Sequence, residues 1–271
     1  MSGPSNGAVA KNGDEAAATI QSVERAARIL GFFTVSRPRL TLTEITARLG
    51  VSKATAHRYA VALRRVNLLR YDKGAAEYTL GPQVLTLASA ARAGLPIITL
   101  AGPLMEQLVR EVNETVVLSV WDGESPVVVR VDDSTERVVR VSVRAGARLS
   151  GLDSAQGRVF CAFLSKDQTA DLAEEFEKRP LLVAELESIR ESGVAINTPE
   201  IHGVRTIAAP VFSDGRIIAV MALLGTTATV SDDISSSAAK ALKRIAGLLT
   251  EQFGAHEVSA TEASGAIALV S

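Results

Sequence analysis

The chain has one cysteine, Cys161, three histidines, and no apolar run approaching 20 residues. Each scarcity excludes something. A lone thiol cannot close a disulfide within the chain or supply a multi-cysteine metal site. His57, His202 and His256 lack the short spacings of a metal-binding motif, so no metal ligand is assigned. Without a long apolar stretch there is no spanning helix. The small, polar N-terminus also has neither the basic nor the apolar part of a secretory leader, so the sequence reads as cytoplasmic, with no membrane partner. No glycine-rich phosphate loop stands between a strand and a helix, and no cofactor is expected. Cys161 paired with a histidine would be the one route to a nucleophile. It falls within the apolar helical run Val159, Phe160, Ala162 and Phe163, where a thiol is ordinarily just buried. The sequence is therefore read as that of a non-enzyme.

What is present is more telling. The 271 residues suffice for about two domains, and a hydrophobic share of 47% provides real cores. The net charge of −1 conceals an asymmetry. Between Ile20 and Leu80 there are 11 Lys/Arg and 4 Asp/Glu, a balance of +7 that leaves −8 for the rest. A basic N-terminal module on an acidic body points to a polyanionic partner for the first part only.

Residues 1–18, rich in Gly, Ala, Ser and Asn, are expected to be a disordered tail. Ser22 is predicted to cap a helix with Val23, Ala26, Ala27, Leu30 and Phe33 on its apolar face. Arg37-Pro38 breaks it. Thr41 and Glu44 have capping-box spacing at the head of a helix that buries Leu42, Ile45 and Leu49 and ends at Gly50. Ser52 caps the next helix at once. Ala56, Tyr59, Ala60 and Leu63 face inward. Lys53, His57, Arg58, Val61, Arg64 and Arg65 face outward. Two short helices joined by a tight glycine turn make a helix-turn-helix. In that geometry the start of the second helix reaches base edges while flanking groups hold phosphates. Leu68–Asp72 and Glu77–Leu80 flank Lys73-Gly74-Ala75-Ala76 as a hairpin wing carrying Arg70 and Lys73. An ordinary three-helix domain with a solvated charged face is the competing interpretation of this stretch.

A helix over residues 82–93 ends at Gly94 and Pro96 and serves as a linker (82–95) and a dimer seam. Helix-turn-helix proteins need two modules to read a two-fold site. From residue 96 to about 255 the pattern is α+β. A helix is predicted over Pro103–Val112, and strands over Thr115–Trp121, Val127–Val131 and Val138–Val143. Helices follow at 154–165, 167–178 and 183–192. Strands Thr206–Phe212 and Ile217–Leu224 are joined by the turn Ser213-Asp214-Gly215. A final helix capped by Ser231 runs to about Phe253, with Asp232 and Asp233 in its first turn. The tail 256–271 is expected to be loose.

These segments resemble the IclR family of transcriptional regulators. The N-terminal resemblance rests on Ser22-Val23-Glu24-Arg25-Ala26, Leu42-Thr43-Glu44-Ile45-Thr46, Leu49 through Arg58, and Tyr78-Thr79-Leu80-Gly81-Pro82. The C-terminal resemblance rests on Glu114-Thr115-Val116, Ser154-Ala155-Gln156-Gly157-Arg158, Glu200-Ile201-His202-Gly203-Val204 and Ile207-Ala208-Ala209-Pro210-Val211. Together they cover roughly residues 20–253. The resemblance implies a winged helix-turn-helix (19–81) and a GAF-like effector-binding domain (96–255) in a homodimer or dimer of dimers. Such proteins repress or activate metabolic operons, often catabolic ones. Ser52, Lys53, Thr55, His57 and Arg58 would then lie in or beside the major groove of double-stranded DNA. Arg25, Arg70 and Lys73 would hold phosphates or the minor groove.

The resemblance also places a small-molecule effector over the sheet near Ser150–Arg158. It would be held by the amides of Ala155, Gln156 and Gly157 at a helix start. Val204, Thr206, Ala222 and Leu224 would form opposite walls, and Val139 or Val141 an apolar one, with Leu152 and Asp153 in the preceding loop. Two departures from the family pattern matter. Its Pro-Leu-His is Ser150-Gly151-Leu152 here, and its last-strand serines are Ala222 and Leu224. Losing two hydroxyls disfavours a compact keto acid and favours an aromatic or largely apolar catabolite. The expected function is a repressor of a catabolic operon released by such an effector. An activator is the alternative, and a sensor acting on a protein partner is a weaker one.

Overall fold

The computed structural model describes residues 21–134, 141–198 and 203–268, with side chains through residue 256. The described chain forms two compact units that divide between Thr86 and Leu87.

The first unit contains α1 (Gln21–Gly31), β1 (Leu40–Thr41), α2 (Leu42–Leu49), α3 (Lys53–Arg65), β2 (Leu69–Asp72) and β3 (Glu77–Leu80). The three strands form one antiparallel sheet in the order β1-β3-β2. Its core gathers Ile29, Phe33, Leu40, Ile45, Leu49, Ala56, Ala60, Leu63, Leu69 and Tyr78. The apolar face of α1 differs from the sequence expectation. Val23 is 64% exposed and Ala27 is exposed, whereas Ile29 is fully buried. The face is therefore Ala26, Ile29 and Leu30, a cleaner 3.6-residue stripe, and Phe33 joins the same core just past the helix end. Ser22 lies inside α1, because Gln21 is already helical, and so is not its cap.

A helix α4 (Pro82–Ala93) follows, as predicted, and buries none of its residues.

The second unit holds a five-stranded antiparallel sheet in the order β5-β4-β8-β7-β6. The strands are β4 (Thr115–Trp121), β5 (Pro126–Asp132), β6 (Ala195–Asn197), β7 (Val204–Ser213) and β8 (Arg216–Thr226). Strand alternation sends successive residues to opposite faces. Ile207, Ala209, Met221 and Leu223 join a core with α5 (Pro96–Val112) and α9 (Ser237–Ala268). Ala208, Val220, Ala222 and Leu224 join another with α6 (Ala155–Phe163) and α8 (Pro180–Ser192). A 3-10 helix (Asp167–Leu172) and α7 (Ala173–Lys178) lie between α6 and α8 in sequence. Asp214 and Gly215 both have positive φ, 46° and 73°, as the tight β7–β8 hairpin requires.

Several sequence expectations are corrected here. Helix α5 begins at Pro96, two turns before Pro103. Pro96 occupies the first turn, and Ile97, Ile98, Ala101 and Gly102 are buried, so packing carries the helix through Pro103. Of the strand predicted at Val138–Val143, residues 141–143 are not strand, and the remainder lies outside the described residues. The helix predicted at 183–192 starts at Pro180, and β6 was not anticipated. Helix α9 begins at Ser237. Asp233 accepts from the Ser235 amide at 2.7 Å and from its hydroxyl at 2.6 Å, a local turn that competes with helix, so Ser231 is not the cap. The backbone stays helical to Ala268, where a loose tail from His256 was expected. The predicted 1–18 tail lies outside the described residues.

Candidate functional site

The first candidate surface is built by two caps. Thr41 and Glu44 form a reciprocal capping box: the Thr41 amide donates to Glu44 Oε2 at 2.8 Å and the Glu44 amide to Thr41 Oγ1 at 3.3 Å. The Thr41 amide, and then the Thr41 hydroxyl that donates to the same Oε2 at 2.8 Å, hold the exposed Glu44 carboxyl below the usual glutamate range. Helix α2 then stops at Gly50, whose φ of 70° and ψ of 34° suit glycine, and Ser52 opens α3 by accepting from the Thr55 amide at 3.2 Å. The turn between the helices is thus closed at both ends by side chains and a left-handed residue.

Helix α3 buries Ala56, Ala60 and Leu63 and leaves Lys53, His57, Arg58, Arg64 and Arg65 exposed. The structure sorts the cations of this unit. Arg39 lies 3.8 Å from Asp72 and 3.6 Å from Glu77. Arg48 stacks over Phe32 and Arg64 over Tyr71. Arg25, Lys53, Arg58, Arg65, Arg70 and Lys73 make no ion pair among the described residues. A cleft of about 760 Å³ brings Arg25 and Ser22 of α1 together with Thr55, His57, Arg58 and Arg65 of α3. A second cleft of about 490 Å³ continues from Val61 and Arg65 to Arg70 on β2. The hairpin tip is held by Asp72, whose Oδ1 accepts from the Gly74 amide at 2.8 Å and from that of Ala75 at 3.3 Å, leaving Lys73 outward. Arg65 and Tyr59 line the first cleft without having been assigned a site role from sequence. The i, i+7 relation of Arg58 and Arg65 was the signal for Arg65.

The second candidate site is a cavity of about 170 Å³ in the second unit. It is lined by Val143, Leu149, Ser150, Asp153, Ser154, Ala155, Gln156, Asn197, Thr206 and Leu224. Asn197, Thr206 and Leu224 are mutual register partners across β6, β7 and β8, so they form one row beneath the start of α6. Close approach of the preceding loop is possible because Gly157 has no side chain. A Cβ there would stand 2.3 Å from the carbonyl oxygens of both Ser150 and Gly151. The loop is tied internally. Ser150 Oγ donates to Asp153 Oδ2 at 2.8 Å, Arg179 donates to Asp153 Oδ1 at 2.8 Å, and Asn197 Nδ2 donates to the Asp153 carbonyl. The Ser150 bond and then Arg179 hold the Asp153 carboxyl below the usual aspartate range.

Of the effector residues read from sequence, Asp153, Ala155, Gln156, Thr206 and Leu224 line this cavity. Ala222 does not. It is fully buried one strand-repeat deeper, in the core with α6. Val141 and Val204 are half-buried and outside the lining, and Leu152 lines a neighbouring groove with Arg158 and Arg179. Val139 lies outside the described residues. The Gly157 amide is already satisfied by Ser154 Oγ at 2.9 Å, so among the described residues the helix start offers two amides without a partner, those of Ala155 and Gln156, and not three. Val143, Leu149, Ser150, Ser154 and Asn197 were not anticipated, since they come from a loop and a three-residue strand with little periodic signal. Cys161 is 4% exposed, and burial pushes its thiol up to about 11.

Residues 22–73 match the family model of the IclR helix-turn-helix domain, and residues 89–250 match that of the bacterial transcriptional regulator IclR C-terminal. The chain belongs to the IclR family of transcriptional regulators. It is similar to the HTH-type transcriptional regulator XynR of Escherichia coli, at 28% identity over 225 residues, 79% of this chain and 89% of XynR. It is also similar to BhcR of Paracoccus denitrificans, at 30% identity over 235 residues, 81% and 82% of the two chains. Among solved structures, an IclR regulator from Silicibacter sp. TM1040 superposes with a TM-score of 0.77 at 26% identity, covering 86% of this chain and 96% of that one. IclR-family membership gives the chain a DNA-binding helix-turn-helix domain joined to the C-terminal domain of bacterial transcriptional regulators, and the relatives it matches are transcriptional regulators. Among the described residues no single helix is long and apolar enough to cross a membrane.

Proposed function

We propose that this IclR-family regulator represses a catabolic operon and is released from it by a small, largely apolar, aromatic effector. The observation that carries the DNA half is the cationic face of α3, where Lys53, Arg58 and Arg65 stand exposed without ion-pair partners among the described residues while Glu44, Asp72 and Glu77 are engaged elsewhere. In this reading residues 19–81 are a winged helix-turn-helix. Ser52, Lys53, Thr55, His57 and Arg58 meet base edges and backbone in the major groove, and Arg25, Arg70 and Lys73 hold phosphates or the minor groove. Two copies, as a homodimer or dimer of dimers in the cytoplasm, present paired α3 helices to a two-fold operator.

Residues 96–255 are a GAF-like effector domain, with its ligand in the cavity under the start of α6. A volume of about 170 Å³ suits one ring, since an apolar cavity of about 150 Å³ accepts benzene. An IclR homologue from Microbacterium hydrocarbonoxydans, 20% identical with a TM-score of 0.68, was solved in complex with 4-hydroxybenzoate, a ligand of that size. The effector acts by binding one packing of the domain better than another. The linker helix, residues 82–95, relays the difference to the spacing of the DNA-binding units, with a coupling of about 1–3 kcal/mol. Calorimetry tests the effector class: single-ring compounds bind and weaken operator affinity. Tight binding of a two- or three-carbon acid, with no binding of ring compounds, overturns it.

A further inference from the structure

We propose that the cavity under α6 selects a neutral, amide-like head group on a single ring over the corresponding carboxylate; this rests on the effector reading above. None of the ten lining residues is Lys, Arg or His, and one, Asp153, is an acid. The Asp153 carboxylate is kept ionised by Ser150 and by Arg179, and Arg179 is not itself among the lining residues. A ligand carboxylate would find no cation among the lining residues, and the one nearby, Arg179, is already paired with the exposed Asp153 carboxylate, so its charge would lose water without gaining a partner.

The neutral groups on the wall lead to the same conclusion. Gln156 is 3% exposed and Thr206 8%, and neither side chain has a hydrogen-bond partner among the described residues. Both line the cavity. Asn197 spends its Nδ2 on the Asp153 carbonyl, which leaves its Oδ1 without a donor among the described residues. Among the described residues Gln156 Oε1 and Asn197 Oδ1 are thus acceptors without donors, while Gln156 Nε2 and the Thr206 hydroxyl are donors without acceptors, so the wall calls for a head group that carries both. A carboxylate brings acceptors only, whereas a carboxamide brings two N–H donors and one carbonyl oxygen. That oxygen suits the Ala155 and Gln156 amides at the start of α6, left open because Ser154 caps Gly157. Leu149, Val143 and Leu224 supply the apolar part of the lining for the ring.

The test is calorimetry on the full chain at pH 7 with two matched pairs, benzamide against benzoate and 4-hydroxybenzamide against 4-hydroxybenzoate. The amide of at least one pair is expected to bind at least tenfold tighter than its acid, about 1.4 kcal/mol. Asp153→Asn is expected to narrow that ratio by improving the acid. Gln156→Leu is expected to weaken the amide selectively, with Thr206→Val as the substitute if circular dichroism shows Gln156→Leu unfolded. An acid binding as tightly as its amide, or a ratio unmoved by Asp153→Asn, overturns the head-group assignment and leaves the effector cavity standing. Failure of all four compounds to bind overturns the effector reading itself, and the head-group assignment with it.

Discussion

Ser154 Oγ accepts from the amide of Gly157 at 2.9 Å, and the same Gly157 lets the carbonyls of Ser150 and Gly151 pass where a Cβ would stand 2.3 Å away. The cap and the glycine together press the 150–154 loop onto the first turn of α6 and form one wall of the cavity. Gly157→Ala forces backbone against backbone and is expected to cost about 1–3 kcal/mol, with weakened effector binding. Gly247→Ala in α9, where an added Cβ meets nothing within 4 Å, is expected to be neutral or stabilising by up to about 1 kcal/mol. Urea unfolding of the two variants, side by side, checks the contrast.

Ser154→Ala removes the α6 cap and should destabilise by about 1 kcal/mol, read from the urea midpoint. The Gly157 amide then becomes a third free donor. Binding of a single-ring acid should consequently fall less than stability does.

The capping box at α2 titrates. Thr41 holds the Glu44 carboxyl below its ordinary range, so folding depresses this pKa. Its stabilising contribution is fully present above the ordinary glutamate value and is lost as pH falls through the lower folded value. Glu44→Gln keeps the cap geometry without the titration. Stability measured from pH 6 down to pH 3 should therefore fall less steeply in Glu44→Gln than in the wild type.

Cys161 is buried and its thiol is raised to about 11. The nucleophilic thiolate is scarce at that value. A thiol reagent at pH 8 should leave the folded chain unlabelled and should label one site when urea unfolds it. Rapid labelling of the folded chain would contradict the buried placement.

The helix-turn-helix was legible because local chemistry decides it. Thr41, Glu44, Gly50 and Ser52 each fix a helix end within a few residues, and tertiary packing agrees with them. The register of α1 was not legible, because Val23 and Ala27 fit a helical stripe as well as Ile29 does and only contact with α2 and α3 chooses. The onset of α9 was missed because Ser231 and Asp233 resemble cap residues but serve a preceding turn. At the cavity, Asp153, Ala155, Gln156, Thr206 and Leu224, read from sequence as effector contacts, are among the lining residues. Asn197 and Leu149 reach it through sheet register and a loop, which no periodicity encodes. Ala222 was misplaced by one strand repeat, two residues that keep the same face but move from the cavity to the core.

Operator recognition depends most on the α3 surface entering a DNA groove. Retention of an operator fragment by the wild type and by Arg58→Ala, each at two salt concentrations, measures this directly, with calorimetric effector binding run alongside. The wild-type affinity should fall steeply with salt. Arg58→Ala should lose operator binding and keep effector binding. Undiminished operator affinity in Arg58→Ala, or equal loss of both activities, would contradict the account.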